Sequence, residues 1–189
     1  MSAGCACCRA GSPCTQSLNE VFFDASAARH ASVGDRAALV AALARSPSAV
    51  RSDGTPANAS GYTPLHYASR HGDVRCVEVC VSAGCEIEAV TRVGRATALH
   101  KAASGGRAEA CEALLRSGAN AMARDIDGET ALFKAAVNGD LKCVLVLINA
   151  AKEAVRAKDG RGRMARDVAA NDAVRDALDA AVAADVVDE

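Results

Sequence analysis

Apolar residues recur at helical spacing in several short segments of this chain, and glycine or aspartate separates the segments. Three segments show the pattern most clearly, and their apolar positions are Val74, Val77 and Val81, then Ala110, Leu114 and Leu115, then Leu141, Val144, Leu147 and Ile148. Because residues three and four apart share one face of a helix, each segment is predicted to be an amphipathic helix with a buried face. Asp73 and Asp140 stand just before two of these segments and are predicted to cap them.

A shorter helical segment precedes each of these helices, and a glycine separates the two. The glycines are Gly72, Gly106 and Gly139, and glycine readily takes the left-handed conformation in which helices often end. The pattern therefore predicts pairs of helices joined by tight turns. Gly84 and Gly118 end the longer helices, and an extended loop is predicted to follow each of them.

The shorter helix of each pair begins with a recurring phrase. Its copies read Thr63-Pro64-Leu65-His66-Tyr67-Ala68, Thr97-Ala98-Leu99-His100-Lys101-Ala102 and Thr130-Ala131-Leu132-Phe133-Lys134-Ala135. Measured between the threonines, the steps are 34 and 33 residues. A constant period in this range is typical of stacked helical repeats, in which neighbouring units together bury a core that one unit cannot bury alone.

The phrase resembles the Thr-Pro-Leu-His-x-Ala sequence of ankyrin repeats. The resemblance implies an all-α solenoid of stacked helix–turn–helix units with extended connecting loops, in which three clear repeats lie between degenerate capping repeats. It also implies that His66 and His100 hydrogen-bond locally and bridge adjacent units. Phe133 in the histidine place of the third copy favours this structural interpretation, because a phenyl ring could not replace a catalytic histidine.

The array is predicted to occupy residues 17–184. We expect a degenerate first repeat over 17–52, clear repeats over 60–92, 93–126 and 127–159, and a C-terminal cap over 160–184. In the cap, Val174, Leu178 and Val182 share one helical face, but Arg166 occupies the usual leucine place and departs from the pattern. Residues 1–16 are predicted to be a flexible cysteine-rich tail, and residues 185–189 a short acidic tail.

Composition narrows the function classes. The 189 residues carry a formal net charge of −1, so no global field favours a nucleic acid as partner. No apolar run reaches the roughly 18 residues that a transmembrane helix needs, and the first residues lack the apolar core of a signal peptide. We therefore expect an intracellular monomer, in the cytoplasm first and in the nucleus as the alternative.

Five of the nine cysteines lie in the repeats, and most of them fall on positions of the longer helices where the family has small apolar residues. These cysteines are Cys76, Cys80, Cys85, Cys111 and Cys143. They are predicted to be buried as small hydrophobic side chains, which suits a reducing compartment without disulfides.

The other four cysteines, Cys5, Cys7, Cys8 and Cys14, crowd into the N-terminal tail. Four thiolates suffice for one tetrahedral zinc ion, although the spacing lacks the paired Cys-x2-Cys pattern of strong zinc motifs. Palmitoylation is an alternative, and an unmodified tail is the default. A zinc- or lipid-tethered regulatory subunit is therefore one hypothesis for function, and no other cofactor is expected.

The main hypothesis is a non-catalytic adaptor or scaffold that binds another protein. The resemblance implies that the first helices and the loop tips line one concave side. The residues expected there are Tyr67, Arg70, His71, Lys101, Ser104, Lys134, Val137 and Asn138 on the helices, and Arg92, Val93, Arg95, Asp125, Asp127 and Glu129 on the loops. Aromatic and arginine side chains are frequent anchors at interfaces, and an ordinary solvated face is the alternative.

The sequence offers no recognisable catalytic motif. It lacks the phosphate-binding loop, the dinucleotide-binding glycine pattern, the zinc-protease helix and the nucleophile elbow. An enzyme is therefore not predicted.

Overall fold

The structure is a computed structural model that describes residues 27–31, 33–45 and 61–185. The predictions for the N-terminal tail with its four cysteines, for the start of the first repeat and for residues 186–189 lie outside the described residues. The repeat boundaries proposed from the sequence stay predictions.

The described residues form helices that follow one another in pairs. Residues 27–31 are helical, and the further helices are α1 (Arg36–Arg45), α2 (Pro64–His71), α3 (Val74–Ser82), α4 (Ala98–Ser104), α5 (Ala108–Arg116), α6 (Ala131–Asn138), α7 (Leu141–Ala150) and α8 (Asp172–Asp185). Two 3₁₀ turns, Lys152–Arg156 and Ala165–Val168, lie between α7 and α8. Within the described residues, β pairing is limited to an isolated bridge between Lys158 and Met164, so the fold is all-α as predicted.

The helices pack in two rows. The first helices of the pairs, α2, α4 and α6, lie side by side, and the turn Ala165–Val168 continues their row. The second helices, α1, α3, α5, α7 and α8, form the other row. Leu65, Leu99 and Leu132 of the first row are fully buried between the rows, so the core runs continuously along the array.

The turns within the pairs form as the sequence predicts. The Asp73 carboxylate accepts hydrogen bonds from the backbone amides of Arg75 and Cys76 at 3.0 and 3.2 Å. Asp140 caps α7 in the same way. Gly72 ends α2 in the left-handed conformation with φ 92°. Local capping by aspartate therefore fixes the start of the second helix in the α2–α3 and α6–α7 pairs, whereas α5 begins after Arg107 without a side-chain cap.

The buried faces of the second helices are partly different from the predicted ones. Val77 is fully buried as expected, but its neighbours in the core are Cys76 and Cys80 rather than Val74 and Val81, which are half-buried. The prediction for Leu141 is wrong, because its side chain is 38% exposed at the start of α7. The prediction for the five cysteines of the repeats is confirmed, because all of them are buried and free.

Extended loops connect the pairs and end in tight hairpin tips. Thr91 and Ala96, Asp125 and Glu129, and Asp159 and Arg163 close the loops with backbone hydrogen bonds of 2.9–3.0 Å. We call residues 92–95, 126–128 and 160–162 the first, second and third hairpin tips. The amide of Ile126 donates to the carbonyl of Gly94 at 3.0 Å, and that of Gly160 donates to Asp127 at 2.8 Å. The tips therefore form a hydrogen-bonded row.

The C-terminal cap accommodates its departures from the pattern. The amide of Met164 donates to the Asp167 carboxylate at 2.8 Å, which replaces the threonine–histidine contact of the other units. Arg166 in the leucine place pairs with Asp179 of α8 at 2.9 Å. Val174 and Leu178 are fully buried as predicted. Among the described helices, none combines the length and the apolarity that crossing a membrane would require.

Candidate functional site

The histidine of the repeated phrase is a buried connector. The backbone amide of Thr63 donates to His66 Nδ1 at 3.1 Å, so Nδ1 is the acceptor and Nε2 carries the proton. Nε2 then donates to the carbonyl of Ala96 in the next repeat at 3.1 Å. His100 makes the same contacts with Thr97 and with the carbonyl of Glu129. The predicted structural role of both histidines is therefore confirmed.

Both imidazoles are neutral at physiological pH. Burial lowers the pKa of His66 to about 4. Burial also lowers the pKa of His100. Because the protein itself satisfies both ring nitrogens of each histidine, neither side chain is available as a base for chemistry.

Phe133 stands in the histidine place of the fourth repeat and uses a different contact. Its ring is buried, and the Arg163 guanidinium lies 5.5 Å from the ring centroid. Arg163 stands directly before Met164, as Ala96 stands directly before Thr97. The residue in the histidine position therefore contacts the same position of the next unit in both cases, by a hydrogen bond from His66 and by a cation–π contact from Phe133.

The buried thiols contact one another or a neighbouring carboxylate. Burial and the Asp73 carboxylate raise the pKa of Cys76 to about 11. Cys80 donates a hydrogen bond to Cys85, which raises the pKa of Cys80 and lowers that of Cys85. A similar contact with Cys143, together with burial, raises the pKa of Cys111. Within the described residues, no group of histidine, cysteine or carboxylate side chains is arranged to hold a metal ion.

Most of the predicted binding residues lie on the first helices and hairpin tips, which we call the recognition face. Its exposed members are Arg70, His71, Arg92, Arg95, Ser104, Asp127 and Asn138, and its half-buried members are Tyr67, Lys101 and Lys134. Val93 and Val137 are exposed apolar members. The face therefore combines cationic, polar and aliphatic side chains along consecutive repeats.

The exposure predicted for Asp125 is wrong. The residue is only 9% exposed, its carboxylate accepts the amides of Asp127 and Glu129 at 3.0 and 2.9 Å, and it pairs with Lys134 at 2.7 Å. Burial alone would raise the pKa of Asp125, but the hydrogen bonds from Lys134 and from the backbone lower it. Asp125 therefore stabilises the conformation of the loop and is not available to a partner.

Lys134 forms a cluster of ion pairs with the acidic residues of this loop. It pairs with both Asp125 and Glu129. Burial alone would lower the pKa of Lys134, but these two carboxylates raise it. Arg163 lies 3.6 Å from Glu129 and 2.8 Å from Asp159, and it extends the cluster toward the third tip. Charge reversal at Lys134 would break this cluster, so Lys134 is unsuitable for testing partner binding alone.

An aromatic cluster lies at the N-terminal end of the recognition face. The ring centroids of Tyr62 and Tyr67 are 5.3 Å apart, and Lys101 Nζ lies 4.9 Å from the centroid of Tyr62. Tyr62 was not among the residues predicted for the face. Tyr62 stands directly before the repeated threonine, and Glu129 has the same position in the fourth repeat. Since Glu129 was predicted to lie at a loop tip, this equivalence could have identified Tyr62.

Arg95 has an unusual backbone conformation. Its φ is 48°, and it is the only non-glycine residue with positive φ in the part of the chain that the structure describes. The same place in the other units holds Gly61, Gly128 and Gly162, all with positive φ. A left-handed conformation costs a non-glycine residue roughly 1–2 kcal/mol. The chain therefore keeps an arginine side chain where the backbone favours glycine.

Ile126 is a member of the recognition face that the sequence analysis missed. It is 60% exposed at the second tip, and Val93 is 80% exposed at the first tip. Both stand four residues before the repeated threonine, Thr130 or Thr97. An alignment of the repeats on their threonines would have identified Ile126, because it occupies the same position as Val93.

The paired helices, the two rows and the bridging histidines define a helical repeat protein with an exposed recognition face. A family model described as ankyrin repeats, in three copies, matches residues 81–159, and a model of the single ankyrin repeat matches residues 60–92. The matches together span residues 60–159, more than half of the 189-residue chain. The chain belongs to the ankyrin-repeat family, whose members are generally protein–protein interaction modules and typically non-catalytic.

Proposed function

We propose that the protein is a non-catalytic adaptor or scaffold that binds another protein through its recognition face, the concave side of the array. The observation that carries the proposal is the exposure of aliphatic and cationic side chains on consecutive tips and first helices, including Val93, Arg95 and Ile126. Hydrogen bonds between neighbouring tips hold this surface in place. A surface that is already ordered loses little conformational freedom on binding.

The proposal describes an intracellular monomer without a cofactor in the repeats. Five buried free cysteines suit a reducing compartment. The order of features from Cys7 to Leu178 is similar to that of ankyrin repeat domain-containing protein 39. That resemblance also favours an adaptor in the cytoplasm or nucleus.

A charge-reversal variant of the recognition face tests the proposal by affinity capture from cell extract and mass spectrometry. The face variant carries Arg70→Glu, Lys101→Glu and Val137→Asp. The control carries matched changes on the second helices, namely Arg75→Glu, Arg116→Glu and Leu145→Asp. We expect the face variant to lose the captured proteins, because the changes alter the charge and apolarity of the proposed interface, whereas the control keeps them.

Both variants must show helical circular dichroism and thermal transitions close to those of the wild type. Equal capture by wild type and face variant would contradict the recognition face, and so would loss of capture in the control alone.

A second candidate function depends on the cluster of Cys5, Cys7, Cys8 and Cys14 in the sequence. In this alternative the N-terminal segment binds zinc or carries lipid, and the repeats position it. Elemental analysis of the purified full chain is expected to find one zinc per chain if the segment is a tetrahedral zinc site, and the Cys5→Ser/Cys8→Ser variant is expected to lose it. A metal-free wild type that is purified without chelator would refute the zinc form.

A further inference from the structure

We propose that the first hairpin tip docks an acidic segment of the partner protein, with a carboxylate on Arg95 and an aliphatic side chain on Val93 and Ile126. The inference rests on the function proposed above and specifies the chemistry of the partner.

Positive charge collects at this end of the recognition face. Arg92 and Arg95 are exposed, and within the described residues the Arg95 guanidinium makes no hydrogen bond or ion pair. Lys101 and Arg70 lie on the adjoining first helices. An unpaired guanidinium matches the geometry of a carboxylate, which it binds through two parallel hydrogen bonds.

Two neighbouring acidic residues pair with cations other than Arg95. Asp125 is buried and paired with Lys134, and Glu129 pairs with Lys134 and Arg163. Asp127 is the exposed carboxylate of the second tip, and its backbone carbonyl holds the third tip rather than the first. A partner with its own carboxylates therefore complements the first tip.

The left-handed backbone conformation of Arg95 indicates a functional role for its side chain. Equivalent places hold Gly61, Gly128 and Gly162, which adopt positive φ without strain. Non-glycine residues that persist in such conformations concentrate at functional sites. The exposed Arg95 side chain makes no polar contact within the described structure that would account for its retention.

The apolar part of the site is shared by two tips. Val93 and Ile126 are 80% and 60% exposed, and the hydrogen bond from the Ile126 amide to the Gly94 carbonyl brings their loops together. An aliphatic side chain that covers both would leave water together with them, which stabilises the complex. The fitting occupant is a segment in which Asp or Glu residues flank an aliphatic residue.

Selection from a phage-displayed library of random peptides on the full-length protein tests this inference. We expect the enriched peptides to carry Asp or Glu on both sides of an aliphatic residue. Their synthetic copies are expected to bind more weakly as the salt concentration rises, because salt screens exposed charges.

Three single variants locate the site by titration of the selected peptides. Arg95→Gly is expected to weaken binding by roughly tenfold or more, as for an arginine hot spot, while the thermal transition stays the same or rises because glycine relieves the left-handed strain. Arg95→Lys keeps the charge and is expected to retain part of the affinity. Arg161→Gln removes an exposed arginine from the third tip and is the matched control, with unchanged binding expected.

The outcomes separate this inference from the proposed function. Selected peptides that are neutral or basic, or whose binding Arg95→Gly leaves unchanged, would overturn the acidic-segment site. If those peptides still lose binding in the Arg70→Glu, Lys101→Glu, Val137→Asp variant, binding through the recognition face is supported. Only the proposed acidic character of the partner segment is then wrong. A library without any enriched peptide that depends on this face would count against both.

Discussion

Replacement of Leu99 by alanine is expected to lower the free energy of unfolding by about 2–5 kcal/mol. Leu99 is 1% exposed in α4, and the row of first helices places it between α2 and α6. Removing its buried methyl groups leaves a cavity that the helices on both sides can fill only in part. Urea unfolding followed by circular dichroism measures the loss.

Leu145→Ala is the matched control for this experiment. Leu145 is also a helical leucine, but it is 45% exposed on α7. We expect a change of about 0.5 kcal/mol or less there, as for ordinary surface substitutions. If Leu99→Ala destabilised the protein no more than Leu145→Ala does, the assigned core would be wrong.

Acidification from neutral pH to about pH 4 is expected to remove about 3 kcal/mol of stability through His66 alone. The pKa of His66 is 6.5 in its ordinary state and about 4 in the folded protein. Between these values the unfolded chain binds a proton that the folded protein does not, so stability is complete above about pH 6.5 and falls as the pH decreases. His100 acts in the same direction, because its pKa is also lowered.

A His66→Gln variant separates this effect from the titration of other groups. Its side chain does not titrate, so its stability is expected to fall less steeply between pH 6.5 and 4 than that of the wild type, although it starts from a lower value. Urea unfolding at several pH values gives both curves. Curves of equal slope would show that His66 does not remain neutral in the folded protein.

The sequence predicted the repeated elements well because their causes are local. The 33- to 34-residue period predicted the equivalent positions of His66 and His100. Asp73 and Asp140 cap the helices that follow them, as predicted, and the helices lie where the apolar pattern indicates. The two-row packing also follows, since each pair of helices has an apolar side that its neighbours must cover.

The recognition face was predicted less completely because exposure depends on how the loops fold. Asp125 has the polar character of a loop residue, but the hairpin turns its carboxylate toward Lys134 and two backbone amides. No local pattern reveals that contact. The special place of Arg95 was accessible to sequence comparison, since the other repeats have glycine there, but its positive φ requires the backbone itself.

The substitution of Phe133 for histidine makes the array chemically asymmetric along its length. Acid removes the neutral imidazoles that fasten the second repeat to the third and the third to the fourth, but the phenyl–guanidinium contact that fastens the fourth repeat to the cap has no proton to gain. Protonation of the two histidines therefore loosens these two junctions, whereas the aromatic contact at the cap is unchanged. Histidine protonation therefore acts on the junctions in the middle of the array and not on the junction with the cap.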